Sequence, residues 1–415
     1  MASRVLLLLP TSTYRTRDFM EAADRLDARV VVASEEPSTM EPLAEDSLLT
    51  LDFLDAAGAA VKVESFHRRY PLNAIVSVDE ETAVVASAIG DKLGLPHNAP
   101  DAAHRARFKH EMRRALEAEG VPGPGYRLLD VGEDPRHTAA QARYPAVLKP
   151  VFLSGSRGVQ RVNDEAELIR AFEWTRGFLS QPDVASHGGE FANVVLLEDY
   201  VPGPEVAVEG LLTDGNLEVL ALFDKPDPLE GPYFEETIYV TPSRLRPDRQ
   251  NEIVDVTTRA AAALGLRHGP VHAELRLPRE EPPSMIEIAG RSIGGLCSRT
   301  LRFGLGLSLE ELILRHSLGR NLTGLGRQAD AAGVMMIPIP SAGVLEEVNG
   351  VEEAKELDAI EDVTITAPLG RALVPLPEGS SYLGFIFARA PTPAEVEAAL
   401  REAHRKLSFE ITAEC

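Results

Sequence analysis

Glu274 and Glu287 sit in two short β-type runs, VHAELRL and SMIEIAG, and Arg291 follows them closely in the chain. Two strand-borne carboxylates facing one cleft repel each other unless a divalent cation lies between them, and hard oxygen ligands suit Mg²⁺ carrying nucleotide phosphates. Taken singly, each glutamate reads equally well as a solvated strand residue. As a pair followed by a cation they read as a site for Mg-ATP.

Other stretches carry complementary chemistry. The run YPAVLKP puts Lys149 at the end of a buried strand, and a loop of small residues comes next, Ser154, Gly155, Ser156, Arg157 and Gly158. Glycines and serines let backbone N–H groups approach phosphate oxygens, and a nearby lysine neutralises charge there. GxxxxGK[ST] is absent, and the same loop alone would also serve as a hairpin turn. LLEDYV, from Leu196 to Val201, breaks into the turn Gly203-Pro204 and re-emerges at Glu205. Such a hinge offers backbone groups to an adenine edge and a carboxylate to ribose hydroxyls, although out of context it is a hairpin with exposed acids. Gly294-Gly295, just after Arg291, is either a tight turn or a pair of backbone amides for a substrate carboxylate or a developing oxyanion. Asp224-Lys225-Pro226 and Phe234-Glu235-Glu236-Thr237 face the same strands, and Glu235 is a candidate acid for a cationic amine. His268 and His272 flank the approach to Glu274, in roles of substrate shape or structure before proton transfer. Cys297 reads as a small packed residue, since GxSxG is absent and no histidine adjoins it.

These residues need a frame. In the first hundred residues short aliphatic runs (5–9, 30–33, 74–78) alternate with helical stretches (18–26, 83–92), which implies a parallel sheet with helices on both faces. The first strand runs into LLPTSTYRTRD without GxGxxG, so a dinucleotide is poorly supported. Phe108, Met112, Ala115 and Leu116 form an apolar helix stripe bordered by Lys109 and ended at Gly120 and Pro122. From 125 to 201 the pattern is strand-rich with one long helix near 165–178, as in a small α+β lobe. Strands resume through 205–223 and 269–288, and a helix near 309–318 follows. The Gly/Ser/Asp-rich segment 180–190 is expected to be a surface loop. After Gly333 come the strands MMIPIP, DVTITA and LGFIFARA and a last amphipathic helix, 393–406. The fold class is therefore multidomain, α/β and α+β, with an N-terminal parallel-sheet domain (1–105), a two-lobe core (106–330, small lobe about 125–200) and a C-terminal α+β domain (331–415).

Composition narrows the partners. Across 415 residues, 64 acidic against 42 basic side chains leave a formal net charge of −22, which opposes nucleic acid or anionic membrane as a general partner. Any phosphate must be captured by local cations. Two cysteines, Cys297 and Cys415, without metal spacing suit a reducing compartment, and no apolar run approaches membrane-spanning length. RVLLLLP reads as a first strand rather than a signal segment, so the expectation is a soluble cytoplasmic protein acting on small molecules, with a homodimer as the commonest assembly.

In their order along the chain, Lys109, Lys149, the 154–158 loop, the hinge from Glu198 to Val201, Glu205, Glu274, Glu287 and Arg291 resemble the ATP-grasp superfamily. The likeness is to its carboxylate–amine ligases, notably the L-amino-acid ligases that make dipeptides. The tail, with Gly370 and PLPEGSSYLGFIFARA, is similar to the C-terminal domain of that subgroup. This resemblance implies a pre-ATP-grasp domain followed by an ATP-grasp core. It implies that Lys109 and Lys149 contact the ATP phosphates under the loop of Ser154, Gly155, Ser156 and Gly158, that Glu198, Asp199 and Val201 hold adenine, and that Glu205 holds ribose. Glu274 and Glu287 would bind two Mg²⁺ ions, with Arg291 stabilising the transferred phosphoryl and a tetrahedral intermediate. Many ATP-grasp enzymes have Asn two residues after the second glutamate, whereas this chain has Ala289, so that Glu287 bridges both ions or water substitutes.

The implied reaction joins a carboxylate to an amine through an acyl phosphate, and amino acids are the expected substrates. Carboxylating ligases of the biotin-dependent or purine-pathway kind, a non-catalytic ATP-binding subunit and a kinase that stops at a phosphorylated product are the competing readings.

Overall fold

The computed structural model describes residues 3–413; Cys415 lies outside them. Its N-terminal unit is a four-stranded sheet in the order Leu48–Thr50, Arg29–Ser34, Arg4–Leu8, Ala74–Ser77, with every neighbour parallel. The strand Arg4–Leu8 is buried on both faces, as parallel strands are. Val5, Leu7 and Leu9 point into the core shared with the rest of the molecule, while Leu6 and Leu8 point into a separate core under the helices Ala56–Arg69 and Ala83–Leu93.

A second, antiparallel sheet forms the small lobe: Tyr126–Asp130, Val194–Asp199, Ala146–Pro150 and Gln160–Val162, in that order. The helix Glu165–Leu179, N-capped by Asp164 on the Glu167 N–H, covers it. Segment 180–190 departs from the expected open loop. Pro182 starts a short helix, Pro182–Gly188, and Val184 is buried in the lobe's core.

The third sheet is the backbone of the molecule. Eight antiparallel strands run in the order Ser284–Ala289, Gly269–Arg276, Glu205–Thr213, Asn216–Lys225, Ile238–Thr241, Ala331–Ile337, Gly384–Ala390, Ile360–Ile365. It crosses position 330/331 without a break, so three C-terminal strands extend the core sheet, while Ala372–Leu373, Gly343–Asn349 and Ser408–Thr412 form a small antiparallel sheet of their own. The helix Pro393–Lys406, opened by a Thr392–Glu395 capping box, packs on that extension. Among the described residues no helix is long and apolar enough to cross a membrane.

One irregularity matters for the chemistry. Glu274 pairs with Glu287, but Leu275 pairs with Met285, so Ile286 is an extra residue on its strand. A bulge bends the strand and re-aims its side chains. Arg113 repairs the disrupted ladder: its guanidinium donates to the carbonyls of Met285 and Ile286 at 2.9 and 2.6 Å.

Candidate active site

Between the small lobe and the eight-stranded sheet lies a cleft of about 1300 Å³, open to solvent at one side. It collects Lys109, Lys149, Ser154, Gly155, Ser156, Glu198, Asp199, Val201, Glu205, His272, Glu274, Glu287, Arg291, Gly294 and Gly295 on one wall system.

The cations are held by carboxylates at every point. Lys149 Nζ stands 2.6 Å from Glu198, whose other oxygen accepts from Arg113 Nε at 2.6 Å. Burial alone would raise the Glu198 pKa, but Arg113 and Lys149 outweigh it and bring the carboxyl down to about 2. Lys109 Nζ lies 3.1 Å from Glu287 and donates to the Leu153 carbonyl at 2.9 Å. Arg291 is fixed from the N-terminal domain, 3.3 Å from the buried carboxylate of Glu80, and also donates to its neighbour's carbonyl at Ser292. Glu80 is placed by a stapled turn, in which Ser77 and Thr82 both donate to the Asp79 carbonyl.

Lys225 is the centre of the arrangement and was not singled out by sequence. Its ammonium pairs with Glu205 at 2.7 Å, with Glu236, and with Glu274 at 3.5 Å. Carboxylate oxygens of Glu205, Glu236 and Glu274 approach one another closely enough to share a cation, and Lys225 is that cation. Burial works against its charge, but the three acids raise its pKa well above the ordinary lysine value. The carboxylate of Glu274, penalised by burial, is held ionised by Lys225, His272 and Arg291. Arg276, likewise unanticipated, spans Glu205 at 2.9 Å, the Tyr200 hydroxyl and the carbonyls of Val201 and Leu229, and stacks on Tyr200 and Phe234. Glu205, the expected ribose ligand, therefore has both oxygens engaged, one by Lys225 and one by Arg276. Lys225 lies inside a stretch quoted for its acids, and strand alternation from the apolar Phe223 was the available signal.

Hydrogen-bond accounting selects among the hinge residues. The N–H groups of Asp199 and Tyr200 go to the carbonyls of Gly125 and Pro145, which leaves Val201 with an N–H unpartnered among the described residues. Gly294 and Gly295 likewise have no partner for their N–H groups there, whereas Ile293 N–H donates to Glu209 at 3.0 Å. Gly295 has a left-handed φ of 58°, and a Cβ on it would meet Phe385 at 3.1 Å.

Of the other expected residues, His272 lines the cleft, whereas His268, Glu235 and Gly158 do not. His272 shares a strand face with Glu274 and stands between two carboxylates, its Nδ1 3.1 Å from Glu209 and its Nε2 3.5 Å from Glu274. His268 does not join them: Gly269, with φ 89°, turns the chain, and the His268 ring stacks on His316 at 4.4 Å in a different cavity against the N-terminal domain. Burial there brings His316 down to about 4. Glu235 is outside the cleft lining, and its neighbour Glu236 takes that place, bound by Lys225 and by the Tyr239 hydroxyl at 2.7 Å. Gly158 is also off the wall. It fastens the loop, its N–H donating to Pro377 at 2.7 Å while Arg157 donates to the Glu378 carbonyl at 2.7 Å, both in the C-terminal domain. Cys297 is buried, and desolvation pushes its thiol far above the usual range, which removes it as a nucleophile.

Family models match three successive parts of the chain: an ATP-grasp N-terminal domain at residues 20–97, an ATP-grasp domain at 142–300 and an L-amino acid ligase C-terminal domain 2 at 335–412. The crystal structure of an L-amino acid ligase from Bacillus licheniformis superposes with a TM-score of 0.83 at 25% identity, covering 99% of both chains. Alanine–anticapsin ligase of Bacillus subtilis is 29% identical over 240 residues, 54% of this chain and 49% of that protein. Carnosine synthase 1 of Gallus gallus is 31% identical over 235 residues, 55% of this chain and 25% of that protein. The matched stretch thus spans about half of the first enzyme and a quarter of the second. ATP-grasp domains and an L-amino acid ligase C-terminal domain stand together in this chain, which is an ATP-grasp ligase, an enzyme forming C–N bonds.

Proposed function

We propose that this ATP-grasp ligase joins the carboxylate of an amino acid to an amine through an acyl phosphate, with release of ADP and phosphate. The observation that carries the reading is the convergence on one cleft of the in-register pair Glu274 and Glu287 with Lys109, Lys149 and Arg291, beside two glycine N–H groups unpartnered among the described residues, with Lys225 buried behind Glu274.

Adenine fits the hinge, where Val201 offers its free N–H and Val147 and Ile286 give apolar faces. Lys109 and Lys149 neutralise the phosphates beneath Ser154, Gly155 and Ser156. The donor set of Glu274 and Glu287, hard oxygens on paired positions of a bulged strand pair, fits Mg²⁺. When bound there, the metal would neutralise phosphate charge and hold the β- and γ-phosphates in line.

A substrate carboxylate oxygen attacks the γ-phosphorus, and the bond from that phosphorus to the β-bridging oxygen breaks, so ADP leaves with the electron pair. The amine nitrogen then attacks the carbonyl carbon, the C–O bond to phosphate breaks with its pair on the phosphate, and the nitrogen gives up one proton, which leaves with the phosphate. Negative charge gathers first on the transferred phosphoryl oxygens and then on the carbonyl oxygen. Arg291, held at its far side by Glu80, and the Gly294 and Gly295 N–H groups face that charge. Because these groups are already oriented, little reorganisation is required when charge develops.

The test is ADP and phosphate release from Mg-ATP with paired amino acids and amines, with the product weighed by mass spectrometry. The expected product is lighter by one water than its two components. ATP turnover that needs no amine and gives only a phosphorylated acid would replace the ligase by a kinase.

A further inference from the structure

Beyond the phosphate-binding groups the cleft changes character. Tyr14 comes from the N-terminal domain, Tyr239 from the core sheet, and Met336 and Tyr382 from the C-terminal domain, and all four line it. They belong to, or pack against, the molecule's main apolar core. The polar tip of Tyr239 is spent, its hydroxyl donating to Glu236 at 2.7 Å. Tyr14 and Tyr382 both stand edge-on to Phe385, at 5.7 and 5.9 Å, which fixes their rings. What this end offers a ligand is therefore aromatic and thioether surface. Gly294 adds space, since a Cβ there would meet no atom within 4 Å.

One charged group overlooks this surface. Glu236 receives Lys225 and Tyr239 on the same oxygen, Oε1, which leaves Oε2 for a ligand. A carboxylate oxygen of Glu236 lies within 4.8 Å of one from Glu274. In an α-amino acid the nitrogen and the carboxyl carbon are about 2.5 Å apart, one α-carbon between them. A molecule with its carboxylate at the phosphoryl-transfer centre can thus bring its ammonium to Glu236 and its side chain to the aromatic surface. An amine held as an ammonium salt is no nucleophile, so the residue gripped in this way is the one whose carboxylate is activated.

We propose, resting on the ligase reading above, that the acyl donor is an α-amino acid with an aromatic or large aliphatic side chain, its ammonium bound by Glu236 and its side chain by Tyr14, Tyr239, Met336 and Tyr382. Acidic side chains are disfavoured, because the carboxylate of Glu236 lines this end of the cleft.

The experiment measures ADP release with Mg-ATP and an excess of mixed amines against phenylalanine, tyrosine, leucine, methionine, alanine, glycine, aspartate and lysine as donors. Fragmentation of the product shows which component gave its carboxylate. The first four donors are expected to exceed the others by roughly tenfold or more in kcat/KM. Gly294→Leu, which fills the space beside the rings, should lower the phenylalanine-to-alanine ratio by roughly tenfold. Ligation that favours small or charged donors overturns this inference and leaves the ligase standing. Absence of ADP with every donor and amine overturns both.

Discussion

The two ends of the cleft are built on opposite principles. The nucleotide end is a lattice of ion pairs, Lys149 and Arg113 on Glu198, Lys225 among Glu205, Glu236 and Glu274, Lys109 on Glu287. Its groups come from the helix Lys109–Ala118, the small lobe, the core sheet and the segment leading into Ile238–Thr241. The far end is a surface of tyrosine rings and methionine drawn from three domains, with one free carboxylate oxygen. Charge can be named residue by residue, because each acid must find its cation. Shape cannot, because it exists only once distant segments have met. Catalytic power should accordingly be concentrated at the first end and choice of substrate at the second.

Substitutions test that division. Lys225→Met leaves one buried and two half-buried carboxylates without their common cation, and uncompensated charge typically costs about 3–5 kcal/mol when fully buried, which is the upper bound here. Thermal or denaturant unfolding should show that loss even before ATP is added; wild-type stability in the variant would remove Lys225 from the centre of the lattice. Arg291→Ala should lower the rate of ADP formation by roughly 10²–10³, about 2.7–4 kcal/mol of transition-state stabilisation, with the ATP affinity little changed. A loss confined to KM for ATP would make Arg291 a binding group only.

The Glu198 pair gives a pH signature. The carboxyl is displaced from 4.5 to about 2 in the fold, so its stabilisation, ~3 kcal/mol at most, is present above pH 4.5 and disappears as pH falls from there towards 2. Glu198→Gln should therefore be less stable than the wild type at neutral pH, and the two unfolding curves should converge across that acidic window. Parallel curves down to pH 2 would mean that the anion is not what the pair stabilises. The smallest effect belongs to the aromatic end. Tyr382→Ala should raise the amino-acid KM by roughly tenfold while KM for ATP stays within about twofold. Equal changes in both constants would erase the distinction between the ends.

The same distinction explains what could be read from the chain beforehand. Glu274, Glu287, Arg291 and Lys149 stand out because strand periodicity and charge are local properties, and the helix of residues 393–406 matches its capping signals residue for residue. The helix Pro247–Leu264 went unanticipated, since half of its buried face is threonine and alanine (Thr257, Ala260, Ala261) and its apolar stripe is correspondingly weak. His268 and Glu235 were each one turn or one alternation away from the cleft, an error that period-2 reasoning makes whenever a strand end is misplaced. Glu80, Tyr14 and Tyr382 carry no local signature at all. They matter only through contacts made across some two hundred or more residues of chain, as between Glu80 and Arg291.

The fastening of the 154–158 loop to Pro377 and Glu378 adds a mechanical aspect to this chemistry. Two main-chain acceptors in the last domain hold the loop that we propose covers the phosphates, so in that reading nucleotide exchange must first unhook one domain from another. Each net hydrogen bond is worth about 1 kcal/mol, enough to delay but not to bar the motion. The enzyme then works as a press with a catch: its turnover should slow as solvent viscosity rises, and a chain severed from its final domain should waste ATP to water where the intact one builds a bond.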